Sequence, residues 1–249
     1  MSTVAIDKSN GVAHVTLNQP PLNVIDLPMM DELNAALASL KDDRATKVIV
    51  VAAQGKAFSA GVDIKDHTPD RVEMMLTKFH AIFHTLWSLE QPVVAAVQGS
   101  ALGGGCELAI ACDFIVASER AKFGQPEIKV GVFAPIATLL LPRILDRKKA
   151  YELLLTGETI DAREAERIGL VNQVAAPDAF DATMDAFVAR LTALSGVVLR
   201  HAKRAIGIGL DRGLAGIEKY YFDDLMRSED ALEGLNAFME KRNPVWKEK

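Results

Sequence analysis

Hydrophobic and polar positions change rhythm several times along the chain. "TVAID" and "GVAHVTLN" alternate apolar and polar residues on either side of Ser9-Asn10-Gly11, a pattern that predicts two strands joined by a tight turn. The period then lengthens: "MMDELNAALASLKDD" repeats its apolar residues every three to four positions, as a helix with one buried face does. "KVIVVAA" is a short β-branched run and predicts a buried strand. "VEMMLTKFHAIFHTLWSLE" returns to helical spacing, with Met74, Met75, Phe79, Phe83 and Trp87 expected in the core or lining a cavity. "PVVAAVQG" and "DFIVAS" add two more strands, so strands and helices alternate, the signature of an α/β domain around a largely parallel sheet. From Arg147 onward helical patterns dominate, with one short strand expected near "GLVNQV". The switch to successive helices near residue 190 divides the chain into an α/β core over 1–190 and a C-terminal helical region over 191–249.

Composition removes classes of function. With 249 residues and 49% hydrophobic content the chain can bury a sizeable core, and one domain with an appended helical segment fits better than two equal domains. Net charge is −5 and only 6% of residues are aromatic, so neither a basic stripe nor a base-stacking platform points to nucleic acid. A leader pattern and a long apolar span are both lacking, which predicts a cytoplasmic protein without a membrane segment. Cys106 and Cys112 stand six apart in apolar surroundings, a spacing that suits buried structural thiols better than a zinc knuckle or a redox pair.

The chemistry concentrates in "SALGGGCELAIACDF", Ser100 to Phe114, where three glycines and a glutamate interrupt an apolar run. Glycine weakens helix and strand alike, so local stability does not explain the triplet. At a strand-to-helix crossover, however, free backbone N–H groups can hold an anion or a developing negative charge. The segment matches neither the dinucleotide nor the P-loop fingerprint, which leaves an oxyanion hole as the alternative. A second donor is available in "GKAFSAGVDIKD", another glycine-containing turn directly after a strand, and two strand-end turns on one parallel sheet can converge.

"AFSAGVDI", "AAVQGSALGGGCELAIACD" and "AKFGQPEI" resemble, in order and spacing, the signatures of the crotonase family, the enoyl-CoA hydratases and isomerases. The resemblance extends through "LLLTGETIDAREAERIGLVNQV" and "AFMEKRNPVW" and covers nearly the whole chain. It implies a crotonase-like spiral of ββα repeats followed by a C-terminal helical region that packs against neighbours, and assembly as a homotrimer or a dimer of trimers. It also implies that the backbone N–H groups of Val62 and Gly104 hold a thioester oxygen while Glu107 and Glu127 serve as acid and base. Coenzyme A enters as part of the substrate, with no metal or redox cofactor. Ala60, Asp63, Ile64, Lys56 and Lys65 fall where its contacts are expected, and Lys241 matches a position that reaches a neighbouring subunit's nucleotide. Solvated lysines and a turn-accepting Asp63 explain those residues equally well.

One segment departs from many short-chain hydratases. After Glu127 the chain reads "KVGVFAPIATLLLPRIL" where relatives carry a glycine-rich stretch, so Phe133, Pro135, Ile136 and Leu139 are expected to reshape one wall of the acyl pocket. "GVFAPIATLLLP" is similar to cyclohexa-1,5-diene-1-carbonyl-CoA hydratases, enzymes of anaerobic aromatic degradation; drift within a generic hydratase is the equal alternative. A double-bond isomerase and a noncatalytic CoA-binding or RNA-associated relative are the competing functions. His80 and His84 lie one helical turn apart, but the glutamate and third ligand of a zinc site are missing.

Overall fold

The computed structural model describes residues 2–67, 70–207, 224 and 227–249. The two alternating segments form β1 (Val4–Ser9) and β2 (Val12–Leu17), paired antiparallel with Ser9 opposite Val12. Asn10 and Gly11 make the turn with φ of +50° and +77°, the conformation whose twist matches a two-residue hairpin. After α1 (Leu27–Ala38), β3 (Val48–Ala53) adds parallel to β2. Helix α2 (Val72–Ser88) leads to β4 (Val93–Val97), also parallel, and the short β5 (Ala101–Leu102). Helix α3 (Gly104–Ile110) is followed by β6 (Phe114–Ser118) and β7 (Lys122–Gly124). Helices α4 (Pro135–Ile144) and α5 (Arg147–Thr156), strand β8 (Thr159–Asp161), helix α6 (Ala162–Arg167) and strand β9 (Gln173–Ala175) complete the α/β part. Beyond it lie α7 (Phe180–Thr192), α8 (Gly196–Gly207) and α9 (Glu229–Glu240).

The strands build two sheets, one ordered β1-β2-β3-β4-β6-β9 and one ordered β5-β7-β8. The chain visits them in turn. β4 continues into β5 and then α3, and β6 continues into β7 before the 3-10 turn Pro126–Val130 and α4. After β3, Ser59 bridges to Ala101 of β5 before α2 begins. Each circuit thus lays one strand in each sheet and a helix outside them, which is the expected spiral of ββα units.

Both faces of the large sheet are covered, and the strand sequences show why. In β3, Ile49 and Val51 face the cluster that includes Leu33, Leu37, Phe58 and Phe83; Val48 and Val50 face the cluster of Phe180, Met184 and Val188 on α7. A parallel strand buried on both faces needs a continuous apolar run, not an alternation. Helix α2 buries Met75, Phe79, Ile82, Phe83 and Leu86, one stripe at helical spacing. Met74 and Trp87 fall beside that stripe and are 46% and 40% exposed, which corrects their expected place in the core.

Other expectations shift in detail. The strand near "GLVNQV" begins at Gln173, and Asn172 just before it accepts the Ile115 amide through its side chain. β5 and β8 were absent from the sequence-based pattern; two and three residues are too few to show a period. In the 191–249 region α8 and α9 are helical as expected, and the amphipathic stretch between them lies largely outside the described residues. Cys106 is buried and Cys112 half-buried, with burial pushing the Cys106 thiol up to about 12 and Cys112 upward as well. Among the described residues, no single helix is long and apolar enough to cross a membrane.

Candidate active site

Two strand-end turns are tied together beneath the site. Phe58 and Ser59 donate their amides to the Ser100 carbonyl, and Leu102 donates to the Ser59 carbonyl. Ser59 Oγ donates to the Asn23 carbonyl and accepts from the Gly61 amide, while Asn23 Nδ2 donates to the carbonyls of Gln54 and Ala57. On either side of Val62, the Gly61 carbonyl accepts from Ile25 N and the Asp63 amide donates to Ile25 O. That parallel bridge leaves the Val62 amide directed away from Ile25. Gly104, the first residue of α3, has no intrahelical acceptor for its own amide.

Three glycines are needed for three separate reasons. Gly103 has φ +52° and ψ −129°, a backbone region for glycine, and a Cβ there would lie 2.6 Å from Glu127 Oε1. A Cβ on Gly104 would meet Val62 Cγ2 at 2.7 Å and Phe79 at 2.9 Å, with Val62 N at 3.3 Å. On Gly105 it would strike the Ser59 carbonyl oxygen at 2.5 Å. The triplet therefore lets one turn approach the other turn, helix α2 and a carboxylate at once.

Glu107 lies in the first turn of α3 and is 2% exposed. Its Oε1 accepts from the amides of Ile136 and Ala137 at 2.8 and 2.9 Å, the free donors at the start of α4. Burial pushes its carboxyl up to about 7, and the neighbouring Glu127 adds to the rise; the two amides pull the other way. Glu127, on the 3-10 turn Pro126–Val130, is also shifted upward by burial, opposed by its own amide and by His67. Glu127 Oε2 is a buried atom without a hydrogen-bond partner. Burial thus raises both carboxyls, and the charge of Glu127 adds to the rise at Glu107.

Both carboxyls, Gly104 and Val62 line one cavity of about 740 Å³. The rest of its wall is largely apolar, supplied by α2 (Val72, Met75, Leu76, Phe79) and by the segment before α4. Ala60 and Ile64 line it as well. Of the divergent segment, Phe133 and Pro135 reach the cavity, but Ile136 turns into the core and Leu139 is 42% exposed, so neither shapes the wall directly. Lys56 and Lys65 are exposed and do not line it. The Asp63 carboxylate accepts from the Lys65 amide, a local turn contact. Lys241 follows α9 with φ +56° and is not among the cavity-lining residues. His80 and His84 sit on α2, and no group of three or more metal-ligating residues converges among the described residues. Two features escaped the sequence reading: His67 lines the cavity, and the start of α4 holds Glu107.

A spiral of ββα units that sets two carboxyls and two strand-end turns around one apolar cavity defines the class. Residues 7–249 match the family model described as enoyl-CoA hydratase/isomerase, and the chain belongs to that family, which acts on acyl-CoA thioesters. It is 41% identical to a protein named "Probable enoyl-CoA hydratase" of Rhizobium meliloti (strain 1021), over 98% of each chain. It is 36% identical to the cyclohexa-1,5-dienecarbonyl-CoA hydratase of Thauera aromatica, over 98% of this chain and 95% of that one. The crystal structure of an enoyl-CoA hydratase of Mycobacterium smegmatis superposes with a TM-score of 0.92 at 32% identity, covering 98% of each.

Proposed function

We propose that the protein is a hydro-lyase that adds water across the α,β double bond of an acyl-CoA thioester. The observation that carries this reading is the placement of Glu107, Glu127, Val62 and Gly104 around one largely apolar cavity. The thioester oxygen receives the N–H groups of Val62 and Gly104; removing one donor of this kind costs about 3–4 kcal/mol of transition-state stabilisation. Glu107, pinned through Oε1, takes a proton from water through Oε2 as the water oxygen bonds to Cβ. The double-bond electrons move onto the thioester as an enolate, and Cα then takes a proton from Glu127. Hydrogen ends on Cα and hydroxyl on Cβ, and no redox group or metal enters the balance. Lys56 and Lys65 are the proposed contacts for the coenzyme A phosphates, and a homotrimer or dimer of trimers would bring Lys241 to a neighbour's nucleotide.

The finer reading concerns the acyl group. Phe133 and Pro135 stiffen one wall, and the Thauera aromatica relative acts on a cyclic dienoyl thioester, which supports a compact cyclic substrate. The test presents purified protein with crotonyl-CoA and cyclohexa-1,5-diene-1-carbonyl-CoA in parallel, with the double E107Q/E127Q variant as control, and reads products by mass spectrometry. Gain of one water on either thioester, lost in the variant, supports the hydro-lyase; preference for the diene supports the cyclic reading. A rearranged product without added water would instead indicate an isomerase, and tight binding without any product a noncatalytic relative.

A further inference from the structure

His67 is a polar, titratable side chain in the cavity that the proposed hydration does not use. It ends the 3-10 turn Ile64–His67, five residues after Val62, so one short segment brings both an amide donor and an imidazole to the site. The ring is oriented. Its Nδ1 stands 3.2 Å from the Asp63 carbonyl oxygen, which can only accept, so Nδ1 carries the hydrogen and Nε2 is the nitrogen left for exchange.

The segment that holds the ring is itself held. Asp63 N donates to Ile25 O, Asp66 N donates to Asp63 O, and the buried Asp66 carboxylate pairs with Arg71 at 2.7 Å. The same cavity is lined by Glu127, whose Oε2 is buried and without a partner. Among the described residues, the charged and titratable groups that share this cavity or segment with His67 include Glu127 on the 3-10 turn Pro126–Val130, Glu107 on α3, Asp63, Lys65 and Asp66 on its own segment, and Arg71 at the start of α2.

We propose that His67 is a positioning residue for the proton on Glu127, passing it between Glu127 Oε2 and solvent through Nε2. The inference rests on the hydro-lyase reading. In that reaction one turnover leaves Glu107 protonated and Glu127 ionised, so the site must be reset before the next. A proton returns from solvent through the imidazolium Nε2–H to Glu127, and Glu107 releases one as the next water enters; one proton arrives and one leaves. The electrostatics agree, since a positive ring at this position lowers the pKa of Glu127.

The test uses the full-length wild type, H67A and H67Q, with folding checked by circular dichroism. On whichever enoyl-CoA the wild type hydrates, H67A should lower kcat by about tenfold or more while KM stays within about threefold. Added imidazole should restore part of the loss in H67A, and H67Q, which keeps the size of the side chain but cannot titrate near neutrality, should stay slow. The kcat limb that reports Glu127 should move to higher pH in both variants, because a cation beside the acid is lost. Unchanged kcat in both folded variants, or slow variants with neither imidazole rescue nor a shifted limb, overturns the inference. A wild type that hydrates no enoyl-CoA overturns the hydro-lyase reading instead. If neither variant folds, carboxyl NMR titration of Glu127 in the wild type decides: coupling to a titrating imidazole supports the exchange role, and its absence rejects it.

Discussion

Glu107 and Glu127 share a cavity but not a kind of support. Glu107 stands on α3, all seven residues of which are buried, and one of its oxygens is fixed by two amides of α4. Glu127 stands on a single 3-10 turn whose Ile128 and Val130 are 38% and 63% exposed, and its buried Oε2 has no partner. The difference suits the two tasks proposed for them. A group that aims a water gains from a fixed oxygen, whereas a group that delivers and recovers a proton gains from an oxygen left open to exchange.

The comparison is broken most directly by E107Q and E127Q. Each should lower turnover by about 10²–10⁴ while leaving affinity for a CoA ester nearly unchanged, measured by steady-state kinetics beside calorimetric binding. Equal turnover of both variants and the wild type would falsify the acid–base assignment. Next in size, Gly103→Ala should disturb the Glu127 side alone, through a Cβ placed 2.6 Å from Oε1 and a strained φ; about 1–3 kcal/mol of stability should be lost in urea unfolding. Gly105→Ala, by contrast, should loosen the frame under Glu107 by pressing on the Ser59 carbonyl.

A pH series sharpens the contrast further. The folded-state carboxyl of Glu107 is raised from 4.5 to about 7, so the native protein holds a proton there that the unfolded chain has already lost. Its burial therefore costs nothing below about pH 4.5 and costs about 3 kcal/mol above pH 7, the penalty growing as pH rises between those values. Urea midpoints for E107Q should flatten that slope; an unchanged slope would assign it to another group. The smallest effect is expected at Lys56 and Lys65. Alanine there should raise KM a few-fold at low salt with kcat unchanged, and the difference should shrink as ionic strength rises.

Much of this was legible in the sequence, because long runs carry long periods. The hairpin, β3, β4, α1 and α2 follow from apolar spacing, and the glycine triplet announced a close approach of backbone. The family resemblance placed both glutamates. What stayed hidden was held by contacts between distant segments: Glu107 meets Ile136 and Ala137 across 29 and 30 residues, and no local pattern encodes that grip. His67 was overlooked because a lone histidine after "DIKD" has no periodic neighbour to mark its direction; the Asp63 carbonyl does that in the folded chain. The sequence places Ile136 and Leu139 at the pocket wall, whereas helix α4 turns one of them inward and the other to solvent.

The hold of Glu107 on α4 gears chemistry to selection. The amides that hold the carboxylate belong to Ile136 and Ala137, which follow Pro135 directly, and Pro135 and Phe133 line the cavity. Under the proposed hydration, a change that moves this wall would re-aim Glu107 at the same stroke, so a new acyl shape could not be accommodated there without retuning the reaction. The opposite course is open along α2, where Val72 and Leu76 touch the cavity without gripping either glutamate. If Glu107 is the proposed base, variation that widens or narrows the substrate range should accumulate on α2, while the start of α4 should tolerate change only in concert with Glu107.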